Sequence, residues 1–207
     1  MTNSEIAVLA FGGRRLPRAR TAPAALASWD VDDADGIDVA VVKARRVVVL
    51  GTDADLAAVL SRLLRADLLD VEVAHIRGRH PGWLSARRAV SVTAQRVPLI
   101  RDDTGTVLVG SALWLPPEGC GAVHGEAVVD DTVLFDGDVA GVRIEPTAAL
   151  PGLRAAVLTG GRRRWVSGRA AQLGTTGARV FRDGVADRRE VKRSTFYRHT
   201  TGWLRVD

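Results

Sequence analysis

The sequence predicts a small parallel α/β layer followed by an all-β, sandwich-like domain. Two stretches carry that prediction. The first is residues 45–64, where the apolar run Val47-Val48-Val49-Leu50 breaks at Gly51-Thr52-Asp53 and apolar residues then recur at helical spacing, Leu56, Val59, Leu60, Leu63 and Leu64. A buried strand, a tight turn and a helix produce that pattern. The second is the change of texture after Ala89, where short apolar segments alternate with turn signals such as Asp103-Thr104-Gly105, Gly160-Gly161 and Asp183-Gly184. Strands separated by turns every ten or so residues fit a sandwich or barrel.

Taken in order, residues 4–10 read as a first strand, closed by the glycine turn Phe11-Gly12-Gly13 with Arg14 and Arg15, which we read as solvated cations. Residues 14–21 read as loop and Ala24 to Trp29 as a short helix. Asp30, Asp32, Asp33, Asp35 and Asp38 form an acidic loop that lacks the register of a calcium site. Residues 37–42 and 45–50 read as strands, 53–66 as a helix and 71–76 as a strand, the order of a right-handed βαβ crossover. Residues 77–85 read as loop. The expected division is an α/β domain over 1–86 and a β domain over 87–207. The β domain's strands are expected at 90–100, 106–115, 126–129, 139–145, 154–158, 164–173, 178–182, 189–197 and 203–206, with Phe135 to Asp138 as a turn.

Composition narrows the function classes. Of 207 residues, 46% are hydrophobic, enough for a real core, and no run is long and apolar enough for a membrane span. The N-terminus shows no secretory pattern, and one cysteine, Cys120, leaves no internal disulfide and no cysteine-based metal site. The cytoplasm is the expected location. The net charge of +5 suits nucleic acid, anionic headgroups or phosphorylated ligands alike. His75, His80, His124 and His199 are scattered and read as structural or surface residues, and no metal site is expected. A strand-to-helix turn aims backbone N–H groups and the positive end of the helix at one point. Gly51, Thr52, Asp53 and Asp55 are therefore the candidate phosphate-binding residues. In the C-terminal half, Arg162, Arg163, Arg164, Arg189, Lys192 and Arg193 form a candidate basic patch with aromatics between them.

The order of these parts resembles the diacylglycerol kinase catalytic family, which includes bacterial lipid kinases and is related in fold to the NAD kinases. That family's signature is an apolar strand, Gly-Gly-Asp-Gly-Thr and an apolar helix; here Gly51-Thr52-Asp53-Ala54-Asp55 stands in its place. Gln95 to Ile100 with Thr106 to Gly110 resembles the hairpin that opens its second domain, and Val166 to Leu173 with Val180 to Val185 resembles its closing strands. The resemblance implies ATP and Mg²⁺ as cofactors and phosphoryl transfer to a lipid hydroxyl. The motif is degraded: Thr52 and Ala54 replace the glycines that let backbone approach phosphates, Asp55 replaces the threonine, and Ala57-Ala58 replaces an Asn-Glu pair. The resemblance therefore implies a truncated, diverged relative, either an active lipid kinase whose general base is not identified or a pseudoenzyme that only binds a phosphorylated small molecule or lipid headgroup. The alternative expectation is a non-enzymatic protein whose basic β domain binds nucleic acid or another polyanion. A homodimer is a further expectation.

Overall fold

The computed structural model describes residues 6–15, 27–31, 34–42, 44–78 and 82–207. The chain falls into two compact units, Met1–Val97 with Gly202–Asp207, and Pro98–Thr201. The first unit runs through β1 (Ile6–Ala10), β2 (Ala27–Asp30), α1 (Ala34–Val41), β3 (Arg46–Leu50), α2 (Asp53–Arg65), β4 (Glu72–Ile76), α3 (Trp83–Ser91) and β5 (Gln95–Val97). The second contains β6 (Ile100–Asp102), β7 (Val107–Leu108), β8 (Ala112–Leu115), β9 (Val123–Val129), β10 (Thr132–Val139), β11 (Val142–Pro146), β12 (Leu153–Val157), β13 (Val166–Gly168), β14 (Ala170–Arg182), β15 (Val185–Ala186) and β16 (Val191–Arg198). The last strand, β17 (Trp203–Val206), returns to the first unit.

The first unit is a six-stranded sheet in the order β2-β1-β3-β4-β17-β5, parallel except for β5, which pairs antiparallel with β17. Every residue of β3 is buried, as a central strand covered on both faces requires. Arg46 is buried with it: its guanidinium reaches Glu72 and donates to the carbonyls of Ala89 and Val92, tying β3 to the C-terminal end of α3. Burial of Leu56, Val59, Leu60 and Leu63 on one face of α2 follows the 3.6-residue period.

The second unit is one eleven-stranded antiparallel sheet wrapped around a single core. The sandwich-like expectation is met by a continuous sheet, because β14 is long enough to serve two neighbourhoods. Its first half pairs with β9 and β16, and Arg179–Arg182 pairs with β8. A register shift between Gly174 and Ala178 redirects the strand. Trp114 and Phe196 sit at the centre, rings tilted at 6.1 Å, and the Trp114 indole N–H donates to Ser194 Oγ at 2.9 Å.

Several sequence expectations are corrected. Residues 37–41 are helical: Ile37, Ala40 and Val41 recur at i, i+3 and i+4 and are buried, whereas Val39 and Val42 are exposed, which a strand with an inward face would not produce. Ala27 to Trp29 is strand, set by parallel pairing with β1, and Ala24 to Leu26 lies outside the described residues. A third helix, α3, covers part of the expected loop at 77–85 and the start of the expected strand at 90–100. The rest of that strand divides at Pro98 into β5 and β6, which belong to different sheets. Phe135 to Asp138 lies within β10, where Gly137 (φ 109°) pairs with Gly125 (φ 157°) and a register shift precedes Phe135. The units divide at Val97/Pro98, against 86/87 from the sequence, and β17 pairs with β4 and β5 instead of joining the β domain.

Candidate functional site

In the first unit β1 and β3 lie side by side, but the chain leaves them in opposite directions, β1 leading to β2 and β3 to β4. That divergence is a topological switch point, and open α/β sheets bind ligands in the crevice at the carboxyl ends of such strands. Three segments meet there. Phe11-Gly12-Gly13-Arg14 follows β1, with Gly12 and Gly13 at φ 62° and 67°; Gly51 to Asp55 follows β3; and the end of β4 supplies His75, with Arg77 just beyond it. Backbone bonds hold the ends together, Phe11 N–H to the Leu50 carbonyl and Gly51 N–H to the Ile76 carbonyl.

The turn after β3 closes on itself. Thr52 (φ −82°, ψ 176°) is the N-cap of α2, and its hydroxyl accepts from the Asp55 N–H at 3.3 Å. The Asp55 carboxylate in return accepts from the Thr52 N–H at 2.7 Å and from the Thr52 hydroxyl at 2.9 Å. This is a capping box with aspartate in the closing position. Gly51 permits it, because a Cβ there would lie 2.7 Å from the Asp55 Cβ and Oδ2. The anion at the head of α2 is thus the chain's own carboxylate.

Asp53 points to the other side of the turn. Its Oδ1 lies 2.8 Å from Arg77 Nε and 3.8 Å from His75 Nδ1. The Arg77 contact is ionic, and the angles fall short of a hydrogen bond, so the buried Oδ1 has no hydrogen-bond partner among the described residues. His75 Nε2 is 3.1 Å from the Gly51 carbonyl. Burial pushes the His75 imidazole below its ordinary range, more than the Gly51 carbonyl and Asp53 raise it, and Arg77 lowers it further. The neutral ring donates through Nε2–H to Gly51, which leaves the Nδ1 lone pair facing Asp53. On the other flank, Arg14 donates to the Phe11 carbonyl at 2.9 Å and stands 3.9 Å from Asp55 Oδ2.

The structure therefore brings Gly51, Thr52, Asp53 and Asp55 together as the sequence suggested. It adds Arg14, His75 and Arg77, which sequence reasoning left as solvated, structural and loop residues. The available signal was positional: each lies at or just past the carboxyl end of a strand of the parallel sheet, but strand order is not written in the sequence. The acidic loop at 30–38 is not one cluster among the described residues. Asp38 pairs with Arg62 across α1 and α2, and Asp32 and Asp33 lie outside the described residues.

The basic residues of the second unit are placed differently. Arg162, Arg163 and Arg164 occupy the β12–β13 connection; Arg189, Lys192 and Arg193 flank or lie on β16, with β11, β8 and β14 between β12 and β16 in sheet order. All six are exposed. The imperfect alternation along β16, where Lys192 and Arg193 both face solvent, coincides with the register shift opposite them in β14. The aromatics are used internally: Phe196 is core, Arg101 stacks on Tyr197 at 4.6 Å and Arg154 on Trp165 at 4.3 Å.

Compared with solved structures, the chain aligns over 98% of its length, at 10% identity and a TM-score of 0.67, with 96% of a diacylglycerol kinase from Bacillus anthracis. It aligns over 98%, at 11% identity and a TM-score of 0.62, with 93% of an NAD kinase from Archaeoglobus fulgidus in complex with ATP. The fold is that of the diacylglycerol kinases and NAD kinases. A yeast NADH kinase complexed with NADH shares it over 93% of this chain and 69% of its own, at a TM-score of 0.54. No protein-family model and no curated protein sequence matches the chain. The family resemblance of the sequence implies a triphosphate at the turn after β3, where the Asp55 carboxylate stands. Asp55 fills the head of the helix, Asp53 faces the same edge, and neither Thr52 nor Ala54 can give way as glycine would. Asp53 is engaged with Arg77. Among the described residues no helix is long and apolar enough to cross a membrane.

Proposed function

We propose that this chain is a ligand-binding protein on a lipid-kinase fold: it takes a phosphate-bearing small molecule, a nucleotide among them, at the β1/β3 crevice and does not transfer phosphoryl groups from ATP. The observation that carries this reading is the Asp55 carboxylate bonded to the Thr52 N–H and hydroxyl at the head of α2. A triphosphate would have to displace it, against its charge and that of Asp53. Arg14 and Arg77 supply the recognition. Their ion pairs with Asp55 and Asp53 are partly solvated, and such pairs are worth about 0–1 kcal/mol, so a dianionic phosphate competes for the guanidinium groups.

The test is calorimetric titration with ADP and with ATP–Mg²⁺, beside a phosphotransfer assay on diacylglycerol in mixed micelles. We expect weak nucleotide binding by the wild type, about tenfold tighter binding by Asp55→Ala as the helix terminus is freed, loss of binding in Arg14→Ala/Arg77→Ala, and no phosphorylated lipid. Multiple-turnover lipid phosphorylation by the wild type would overturn the loss of transfer. Absence of heat from every nucleotide in both wild type and Asp55→Ala would overturn the binding.

One observation favours a second reading, polyanion binding by the β unit. None of Arg162, Arg163, Arg164, Arg189, Lys192 and Arg193 is in an ion pair among the described residues. That reading expects binding to duplex DNA that weakens steeply between low and physiological salt; a flat salt response removes it.

A further inference from the structure

The C-terminal end of helix α3 is fixed. Arg46 bonds the carbonyls of Ala89 and Val92, and Ala89, Val90 and Val92 pack into the core of the first unit. At the other end Gly82 gives no side-chain cap, and Trp83 and Leu84 are each 58% exposed. At about 100° per residue, Arg87 and Leu84 lie opposite Ala89, with Trp83 and Arg88 on the two flanks. Two large apolar side chains and two exposed arginines therefore share the outward face, and neither arginine is in an ion pair among the described residues. Charge is biased well beyond the helix. Between Glu72 and Asp102 the sequence has no acidic residue, while Arg77, exposed at the end of β4, adds to the cations of α3.

We propose that this face docks on an anionic lipid bilayer, with Trp83 and Leu84 entering the headgroup boundary and Arg87 and Arg88 meeting lipid phosphates. An apolar partner protein would be served by Trp83 and Leu84 alone. The acid-free, arginine-rich surround is what selects a surface of uniform negative charge, and indole is the side chain best suited to the boundary between headgroups and acyl chains. The inference does not depend on the ligand proposed for the β1/β3 crevice.

The experiment is flotation of the full chain with vesicles of phosphatidylcholine alone and of equimolar phosphatidylcholine and phosphatidylglycerol, at low and physiological salt. The wild type is expected to float with the anionic vesicles only, less so as salt rises. Trp83→Ser/Leu84→Ser should lower partition about tenfold or more. Arg87→Ala/Arg88→Ala should lower it about tenfold to thirtyfold. Arg162→Ala/Arg163→Ala/Arg164→Ala, in the other unit, should leave it unchanged. All substituted side chains are exposed, and melting curves check folding; Leu84→Glu, at the centre of the outward face, serves as a single-site alternative. Brominated lipid should quench the wild type's tryptophan emission, and Trp83→Phe should abolish that quenching. No flotation by the wild type, equal flotation on neutral vesicles, retention by Trp83→Ser/Leu84→Ser, loss in the Arg162–164 variant instead, or binding to duplex DNA in place of vesicles would each overturn the proposal.

Discussion

In the second unit Asp102, Asp130 and Asp183 gather backbone amides, whereas in the first Asp53 gathers the side chains of Arg77 and His75. Asp183 accepts from the N–H groups of Val109, Gly110 and Ser111, and Asp130 from those of Arg169 and Ala170. Asp102, fully buried, accepts from Thr104 and Thr106 and faces Arg182 at 2.8 Å. These backbone donors sit in tight connections held by the strands on either side and cannot be traded for a ligand. The Arg77 side chain is 68% exposed on a flexible stem, and its guanidinium can be. One residue type thus marks a structural clamp in one unit and an exchangeable contact in the other, and the difference lies in the donor.

The contrast predicts a graded series. Asp102→Ala should be the most damaging, costing about 2–3 kcal/mol in urea unfolding, because it leaves Arg182 with Asp187 alone and removes the acceptor of the Thr104 and Thr106 N–H groups. Its loss should appear in near-ultraviolet circular dichroism of the Trp114–Phe196 core. Thr52→Ala should cost about 1 kcal/mol, the usual value of an N-cap, and lower the melting temperature by a few degrees. Asp53→Asn should cost about 1 kcal/mol or less, since it breaks a partly solvated pair, while changing ligand affinity far more than stability. An Asp53→Asn variant as unstable as Asp102→Ala would erase the distinction between clamp and contact.

The smallest effect is in pH. The folded His75 has a lowered pKa, so below the ordinary histidine value of about 6.5 the unfolded chain takes up a proton before the folded one does. The unfolded state binds more protons in that window, so stability falls as pH falls through it and is level above it. His75→Gln, which keeps a donor for the Gly51 carbonyl, should flatten that slope in melts from pH 7.5 to 5.5; an unchanged slope would show that His75 is not its source.

The strand, turn and helix around Gly51 could be read from sequence because local spacing determines them, and the capping residues sit within four positions of each other. What the spacing could not supply was adjacency. Arg14 and Asp55 are separated by β2, α1 and β3 in sequence but meet because β1 and β3 pair in the sheet. Residues 37–42 misled for a different reason: Val39 and Val42 are exposed apolar residues, and they hid the helical period of Ile37, Ala40 and Val41 within the apolar run Val39-Ala40-Val41-Val42. Pro98 ended a strand that the apolar pattern alone would have continued, and β17 had the texture of the strands before it, although it belongs to the other sheet.

That last placement governs the order in which the molecule can assemble. Within the first sheet, among the described residues, β5 pairs with β17 alone, and β17 also pairs with β4, from which it is separated by more than half the chain. The second unit's strands, by contrast, close among themselves between Pro98 and Thr201. The β unit is therefore an insertion that can reach its native pairing first, after which Trp203 to Val206 zips the parallel sheet shut. Long-range closure of this kind slows folding. Until that closure the open edge of β4 is a template for any passing strand, so deletion of the final six residues should yield a protein that aggregates through its first unit while its second unit remains folded.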